Sequence, residues 1–228
     1  MTYLDDLALF PRMREQGRAS WSSYVEHAFV ARLADGSLPE AAFRHYLGQD
    51  YLFLIHFARA YALAASKADT LSEIRVAAAG MSAIVDTEMA LHVDYCAGWG
   101  LDEAAMEALP EASATLAYTR YVLAQGGQGD LLDLYVALGP CVIGYGEIGA
   151  RLAADPDTRL EGNPYASWIE MYAGAEYQQV ARAHGEALDR LWQSRAGGAR
   201  VAQLSRIFEE ASRLEADFWQ MGLDAVEA

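Results

Sequence analysis

One cysteine lies at a position where the start of a helix would activate its thiol. Cys141 directly follows Pro140 inside an apolar, helix-prone segment. Because proline lacks an N–H and disturbs the preceding turn, we expect the helix to kink or restart there. Cys141 would then occupy the first turn, where free N–H groups and the helix dipole lower the pKa of a thiol. The alternative is a small buried hydrophobic side chain, the usual role of a free cysteine.

An aspartate interrupts the apolar face of a long predicted helix. Asp50 follows Tyr46 by four residues and precedes Leu54 by four. The face is formed by Phe43, Tyr46, Leu47, Leu54, Phe57, Ala58 and Tyr61. A carboxylate there loses solvation and must be hydrogen-bonded, paired or protonated. It is therefore either a functional acid or a structural acid bonded to a neighbouring tyrosine or helix end.

A glutamate interrupts the apolar face of the last predicted helix. The inward stripe consists of Leu204, Ile207, Phe208, Ala211, Leu214 and Phe218. Glu215 lies on this stripe, with Trp219 four residues later. Burial against aromatic rings raises the pKa of a carboxyl group, which suits a general acid near neutral pH. The alternative is an edge position, with the stem packed and the carboxylate at the surface.

Tyrosines are abundant, with 13 in the chain. Tyr118, Tyr121, Tyr145 and Tyr172 lie on helical stripes, where most tyrosines are core residues whose hydroxyl group reaches water. A planar heteroaromatic ligand, however, needs rings to stack on and hydroxyls to orient it. A candidate nucleophile, two buried acids and these rings together suit covalent and acid–base chemistry on a small flat ring.

A metal site is the competing hypothesis. Glu88 and His92 are spaced i, i+4 on one helix. Di-iron bundles, however, take a Glu-x-x-His motif from each of two helices, and this chain has no such spacing. We therefore interpret His92 as a satisfied helix-face histidine.

The elements that carry these residues are predicted to be helices. Apolar residues recur every three or four positions, which predicts an all-α multihelical bundle with a site between helices. Two segments have the spacing of a helix-capping box, Ser37 with Glu40 and Thr70 with Glu73. The predicted helices span about 18–34, 39–66, 71–97, 112–125, 130–154, 164–194 and 200–222, each boundary being uncertain by roughly two to four residues.

Composition limits the class of protein. The 228 residues, 53% hydrophobic and without a linker, favour a single domain over 1–228, with about 17 N-terminal and 6 C-terminal residues peripheral. The net charge of −15 disfavours nucleic acid and anionic membranes as partners. We expect no membrane span, because no apolar run approaches the required length. Two cysteines and a start without a signal-peptide pattern suggest a cytoplasmic protein.

Five separated segments resemble the TenA (thiaminase II) family, which has the haem-oxygenase-like fold. They are Tyr46–Leu54, Ala117–Tyr121, Pro140-Cys141 with Tyr145 and Glu147–Gly149, Trp168–Tyr172, and Glu215–Trp219. The resemblance covers roughly residues 18–222 in the family's order.

The resemblance implies roles for individual residues. The family's nucleophile falls on Cys141, its active-site aspartate on Asp50 and its C-terminal glutamate on Glu215. Its substrate-binding aromatics fall on Phe53, Tyr118 or Tyr121, Tyr145 and Tyr172.

The implied reaction is hydrolysis of 4-amino-5-aminomethyl-2-methylpyrimidine to the hydroxymethyl pyrimidine and ammonia in thiamin salvage, with thiamin cleavage as a related activity. No metal or organic cofactor is implied, and the family is typically tetrameric. Two alternatives stay open: a protein that binds the pyrimidine or thiamin without turnover, with a regulatory role, and a haem-oxygenase-like metal-dependent oxidase.

Overall fold

The chain is helical, as predicted. A computed structural model describes residues 3–195 and 198–226, and in these ranges it contains no β-strand. The α-helices are α1 (Phe10–Gln16), α2 (Arg18–Val25), α3 (Ala28–Asp35), α4 (Glu40–Lys67), α5 (Leu71–Ser82), α6 (Met89–Ala97), α7 (Glu103–Glu107), α8 (Ser113–Gln128), α9 (Leu131–Ala154), α10 (Ala166–Ala173), α11 (Ala175–Arg195) and α12 (Val201–Asp224). Short 3₁₀ turns span Tyr3–Asp6 and Gly198–Arg200, and a π-helical turn spans Ala83–Glu88.

Two predicted helices are each broken by an extended residue in the structure. The predicted helix 18–34 breaks at His27, which is extended and whose ring accepts the N–H of Phe29, so that it caps α3. The predicted helix 164–194 breaks at Gly174, which is also extended (φ −62°, ψ 150°). A histidine that caps a helix with its ring is not among the usual N-cap residues, so composition did not reveal the first break.

One of the two predicted capping boxes forms. Thr70 Oγ1 accepts the N–H of Glu73, and the Glu73 carboxylate accepts the N–H of Thr70. The box predicted at Ser37 and Glu40 is wrong: α4 begins after Pro39 without a side-chain cap, and the Ser37 N–H donates to Asp35 instead.

The described residues fall into two compact units. The first unit comprises Met1–Leu38 and Tyr135–Trp219, and the second comprises Pro39–Leu134 and Gln220–Ala228. The number of domains therefore stays a prediction.

The first unit includes an N-terminal segment that was predicted to be peripheral. Leu9, Phe10 and Met13 are fully buried. The Phe10 ring meets Trp21 and Phe208 edge to face, at centroid distances of 5.5 and 5.7 Å. The segment before residue 18 is thus part of the core, because α1 adds apolar side chains that the family motifs do not include.

Helix α9 is long and strongly apolar. Its 24 residues contain a window with a mean hydropathy of 1.4, so by length and composition it could cross a membrane, contrary to the expectation from sequence. However, 94% of that window is buried inside the protein. The core helix of a globular protein meets the same criterion, so this is weak evidence for a membrane span.

The second unit is built around α4. This 28-residue helix packs against α5, α6, α7 and α8. Gly80 allows α5 to approach closely, since a Cβ there would lie 2.4 Å from a ring carbon of Tyr61. The buried face of α4 from Tyr46 to Tyr61 therefore forms the centre of this unit and carries Asp50.

Candidate functional site

The residues predicted to form the site divide between the two units. Cys141, Tyr145, Tyr172 and Glu215 belong to the first unit. Asp50, Phe53, Tyr118 and Tyr121 belong to the second. Each group is described by itself.

Cys141 lies inside α9, not at the start of a helix. The helix runs through Pro140 without ending, so the predicted restart is wrong. A proline removes one intrahelical hydrogen bond, and tertiary packing can hold the helix together despite that loss. The helix N-terminus therefore contributes nothing to activating the Cys141 thiol, which is buried and only 7% exposed.

An aromatic cluster surrounds the turn that follows Cys141. Tyr145 lies 4.9 Å from Tyr172, 5.2 Å from Trp219 and 5.8 Å from Trp168 between ring centroids. All four side chains are buried. Rings of this type are the side chains on which a flat heteroaromatic ligand stacks.

Close contact between α9 and α10 places Tyr172 in this cluster. A Cβ on Gly149 would lie 2.5 Å from the backbone carbonyl carbon of Tyr172. Only a glycine lets the two backbones approach to this distance. The glycine of the Glu147–Gly149 motif thus has a packing role.

Glu215 is buried in α12, with 2% of the residue exposed, as the stripe predicted. The alternative of a carboxylate at the surface is wrong. Trp219 lies one turn further along α12 and contacts Tyr145, which lies one turn after Cys141. The thiol and the carboxyl group are therefore each one helical turn from the same ring contact.

Asp50 is paired with a histidine that sequence reasoning did not place in the site. Asp50 Oδ2 accepts hydrogen bonds from Tyr46 Oη at 3.0 Å and His92 Nε2 at 2.7 Å. His92 is fully buried, and its Nδ1 lies 2.8 Å from the backbone carbonyl oxygen of Glu88. A histidine that donates from both nitrogens is positively charged.

The environment of His92 favours that charge. Burial by itself lowers the pKa of His92, but the hydrogen bond and negative charge of Asp50 outweigh it, so the pKa is raised. The result is a buried ion pair between α4 and α6. A buried acid on α4 needs a partner, and that need was the one sequence signal that could have drawn attention to His92.

The Glu88–His92 pair does not have the arrangement expected of a metal site. It is the backbone of Glu88 that contacts His92. Across residues 3–195 and 198–226, no three His, Cys, Asp or Glu side chains are grouped to hold a metal ion. Glu88 is the last residue of the π-helical turn, and π-helical turns are frequent at functional sites.

Phe53 contacts one of the two candidate tyrosines of α8, Tyr118. Its ring lies 4.9 Å from that of Tyr118, which is buried, and 5.0 Å from Phe57. Tyr121 is only half-buried. Tyr118 therefore packs beside the α4 face that carries Asp50 and Phe53.

Comparison with known proteins decides the family. The sequence model of the TENA/THI-4/PQQC family matches residues 14–225. The chain belongs to this family. The resemblance predicted from the five segments is confirmed.

Individual relatives agree with this assignment. The chain is 36% identical to the aminopyrimidine aminohydrolase of Halalkalibacterium halodurans over 208 residues, 91% of this chain and 92% of the relative. It is also similar to a crystal structure from Silicibacter sp. TM1040 that is described as a TenA family transcription regulator. The two sequences are 45% identical, and the TM-score is 0.89 over 95% of this chain and 96% of that chain.

A more distant structure confirms the fold. A domain of unknown function with a haem-oxygenase-like fold from Shewanella denitrificans OS217 is 15% identical, with a TM-score of 0.73 over 95% of this chain and 93% of that chain. The predicted haem-oxygenase-like fold is confirmed.

Proposed function

We propose that this protein hydrolyses 4-amino-5-aminomethyl-2-methylpyrimidine to the hydroxymethyl pyrimidine and ammonia, a step of thiamin salvage, and that it acts as a thiaminase II on thiamin. One observation carries the proposal. A thiol that is not in a disulfide, Cys141, and a buried carboxyl group, Glu215, each lie one turn from the Tyr145–Trp219 contact. The family and the name of the Halalkalibacterium relative support the choice of substrate.

In this mechanism Cys141 is the nucleophile. Its thiolate adds to the electron-poor pyrimidine ring, forming a C–S bond, and the ring electrons expel the amine from the exocyclic methylene. Glu215 gives its proton to the departing amine, which leaves as ammonia. Water then adds to the methylene and gives a proton back to Glu215, and the C–S bond breaks to release the thiolate, so one difficult displacement becomes two easier steps.

Asp50 has the role of recognising the ring amidine in this proposal. A carboxylate can accept a hydrogen bond from a ring amino group and share a proton with a ring nitrogen. Tyr46 and His92 hold the Asp50 carboxylate by two hydrogen bonds. Phe53, Tyr118, Tyr121, Tyr145 and Tyr172 are assigned to stacking on the ring or orienting the acids.

The experiment is steady-state ammonia release from the aminopyrimidine, run beside thiamin cleavage. Wild-type protein is expected to turn over the aminopyrimidine, and Cys141→Ser is expected not to. Tight pyrimidine binding without ammonia release would favour a regulatory protein, the description given to the Silicibacter relative. A bound metal and a visible absorption spectrum would favour an oxidase.

We further propose a homo-oligomer, a tetramer by family resemblance, with α5 in the contact between copies. Four large hydrophobic side chains are exposed along α5 and the π turn, namely Leu71, Ile74, Met81 and Val85. Leu71 and Val85 lie seven residues on either side of Ala78. If two copies pair antiparallel about a two-fold axis at Ala78, Leu71 of one copy contacts Val85 of the other.

Charge supports a second copy as the occupant of this face. Two copies that each carry −15 repel one another, and an uncharged contact face keeps their like charges out of direct contact. No charged residue occurs between Val76 and Val85. Met81→Glu should therefore lower the mass measured by light scattering, whereas Leu116→Glu, a change at an equally exposed side chain on α8, should not. An unchanged mass for Met81→Glu would contradict the assignment of α5.

We also infer a cytoplasmic location. Neither Cys96 nor Cys141 is in a disulfide, which is usual in a reducing compartment. Cell fractionation with antibody detection tests this, and recovery outside the cytoplasm would contradict it.

A further inference from the structure

Tyr24, on α2, contacts the peptide group that leads into Cys141. Its hydroxyl donates a hydrogen bond to the carbonyl oxygen of Pro140, at 3.2 Å. That carbonyl belongs to the peptide unit joining Pro140 to Cys141. Tyr24 is fully buried, so this contact lies within the core of the first unit.

Gly144 makes this contact sterically possible. A Cβ at position 144 would lie 2.3 Å from a ring carbon of Tyr24 and 2.7 Å from its hydroxyl oxygen. Real Cβ contacts do not occur at such distances, so any other residue would displace the ring. Helix α9 therefore presents a glycine at the position where the tyrosine crosses it.

The Tyr24 ring also contacts the aromatic cluster. It is stacked with Trp219 at 6.3 Å and 19°, and tilted against Tyr145 at 6.5 Å. Trp21 meets its edge at 5.6 Å and is itself anchored by a hydrogen bond to Glu147. One side chain thus contacts the peptide before Cys141, the ring one turn after Cys141 and the ring one turn after Glu215.

We infer that Tyr24 is a positioning residue for the Cys141 thiol. Pro140 has no N–H to donate to the carbonyl of Val136, so the turn of α9 that leads into Cys141 has one backbone hydrogen bond fewer than an ordinary turn. The Tyr24 hydroxyl adds a hydrogen bond from outside the helix, at the Pro140 carbonyl one residue before Cys141. The inference rests on the proposed function only in taking Cys141 as the nucleophile.

Tyr24→Phe tests this by removing one hydroxyl and keeping the ring. In a Cys96→Ser background, so that one thiol remains, kcat should fall about tenfold while KM stays within about twofold, because small displacements of a reacting group are costly. The rate at which iodoacetamide alkylates Cys141 should rise by about threefold or more, because a loosened turn exposes a buried thiol.

Tyr165→Phe is the matched control. Tyr165 is a buried tyrosine of the same unit, and its hydroxyl also donates to a backbone carbonyl, that of Leu38, at 2.5 Å. Both variants lose one buried hydrogen bond and should lose similar thermal stability. Only Tyr24→Phe should change kcat and alkylation. Equal kcat and equal alkylation rates in the two variants would overturn the inference.

Gly144→Ala provides an independent route to the same contact, since its methyl group displaces the Tyr24 ring. Combined with Tyr24→Phe, it should lower kcat no further than Gly144→Ala alone, whereas additive losses would overturn the inference. If the wild-type protein released no ammonia, the proposed function would fail, but the alkylation contrast between Tyr24→Phe and Tyr165→Phe would still decide whether Tyr24 positions the thiol.

Discussion

Two acidic side chains, the buried Asp50 and the half-buried Glu147, lie in different surroundings. Asp50 is held by a tyrosine and a buried histidine. Glu147 accepts from Trp21 and lies 3.8 Å from Arg14, and burial nonetheless raises its pKa. Because the electrostatic surroundings of a carboxyl group set its proton affinity, these side chains are not interchangeable, and each substitution has its own expected outcome.

Cys141→Ser should abolish turnover and leave the fold intact, because the proposed nucleophile is the thiolate and the volume hardly changes. Ammonia release and circular dichroism measure the two effects. Cys96→Ser is the control: burial raises the pKa of the Cys96 thiol, which makes it a poor nucleophile. Near-wild-type turnover by Cys141→Ser would exclude the covalent mechanism.

Asp50→Asn should weaken pyrimidine binding by about tenfold or more, since an amide cannot both accept from an amino group and share a proton with a ring nitrogen. Calorimetric titration measures this. Asp133→Asn is the control, because Asp133 is also buried but accepts the backbone N–H of Asp130. Unchanged binding with a lower melting temperature would make Asp50 a structural partner of His92.

Glu215→Gln should slow turnover by roughly a hundredfold with little effect on binding, the usual size of a general acid contribution. An amide keeps the shape of the side chain but delivers no proton to the leaving amine. The alkaline limb of the pH–rate profile should also disappear. Glu210→Gln, at a half-exposed position of α12 where the carboxylate pairs with Arg213, is the control. Persistence of that limb at full rate would assign the proton to another group.

At the level of helices, glycines decide how closely neighbours pack. Gly149 lies where α9 meets the end of α10, and Gly127 lies in α8 with open space around its Cβ position. Both are helical, so their intrinsic helix propensities are equal. A difference between substitutions at the two positions therefore reports packing alone.

Gly149→Ala should destabilise the protein by about 2 kcal/mol, because the methyl group would collide with the backbone of Tyr172 and force α10 to move. Gly127→Ala should be neutral or stabilise by up to about 1 kcal/mol, since alanine is the better helix former. Urea denaturation compares the two. Equal free energies of unfolding would show that α9 and α10 do not depend on this close contact.

For the molecule as a whole, two buried histidines make stability depend on pH in opposite directions. His184 lies against the carbonyl of Tyr135, and burial lowers its pKa to about 4. His92 has a raised pKa through Asp50, despite its burial. The contribution of His92 is complete below its unfolded pKa of about 6.5 and is lost as the pH rises through its folded pKa.

His184 should make the protein less stable in acid. Between about pH 6.5 and pH 4 the unfolded chain binds a proton at His184 that the folded chain does not, so the free energy of unfolding falls with falling pH, by about 3 kcal/mol in total. Denaturation at several pH values measures this slope. His184→Gln should remove most of it, and an unchanged slope would assign the acid sensitivity to other groups.

The sequence by itself determined the helical class, most helix positions, the family and the burial of Asp50 and Glu215. These follow from apolar spacing and local motifs, which act over a few residues. Tertiary structure alone decided that α9 continues through Pro140, that His92 pairs with Asp50 across 42 residues, and that Tyr24 contacts the Pro140 carbonyl. Such contacts depend on how helices distant in sequence pack, which no local pattern encodes.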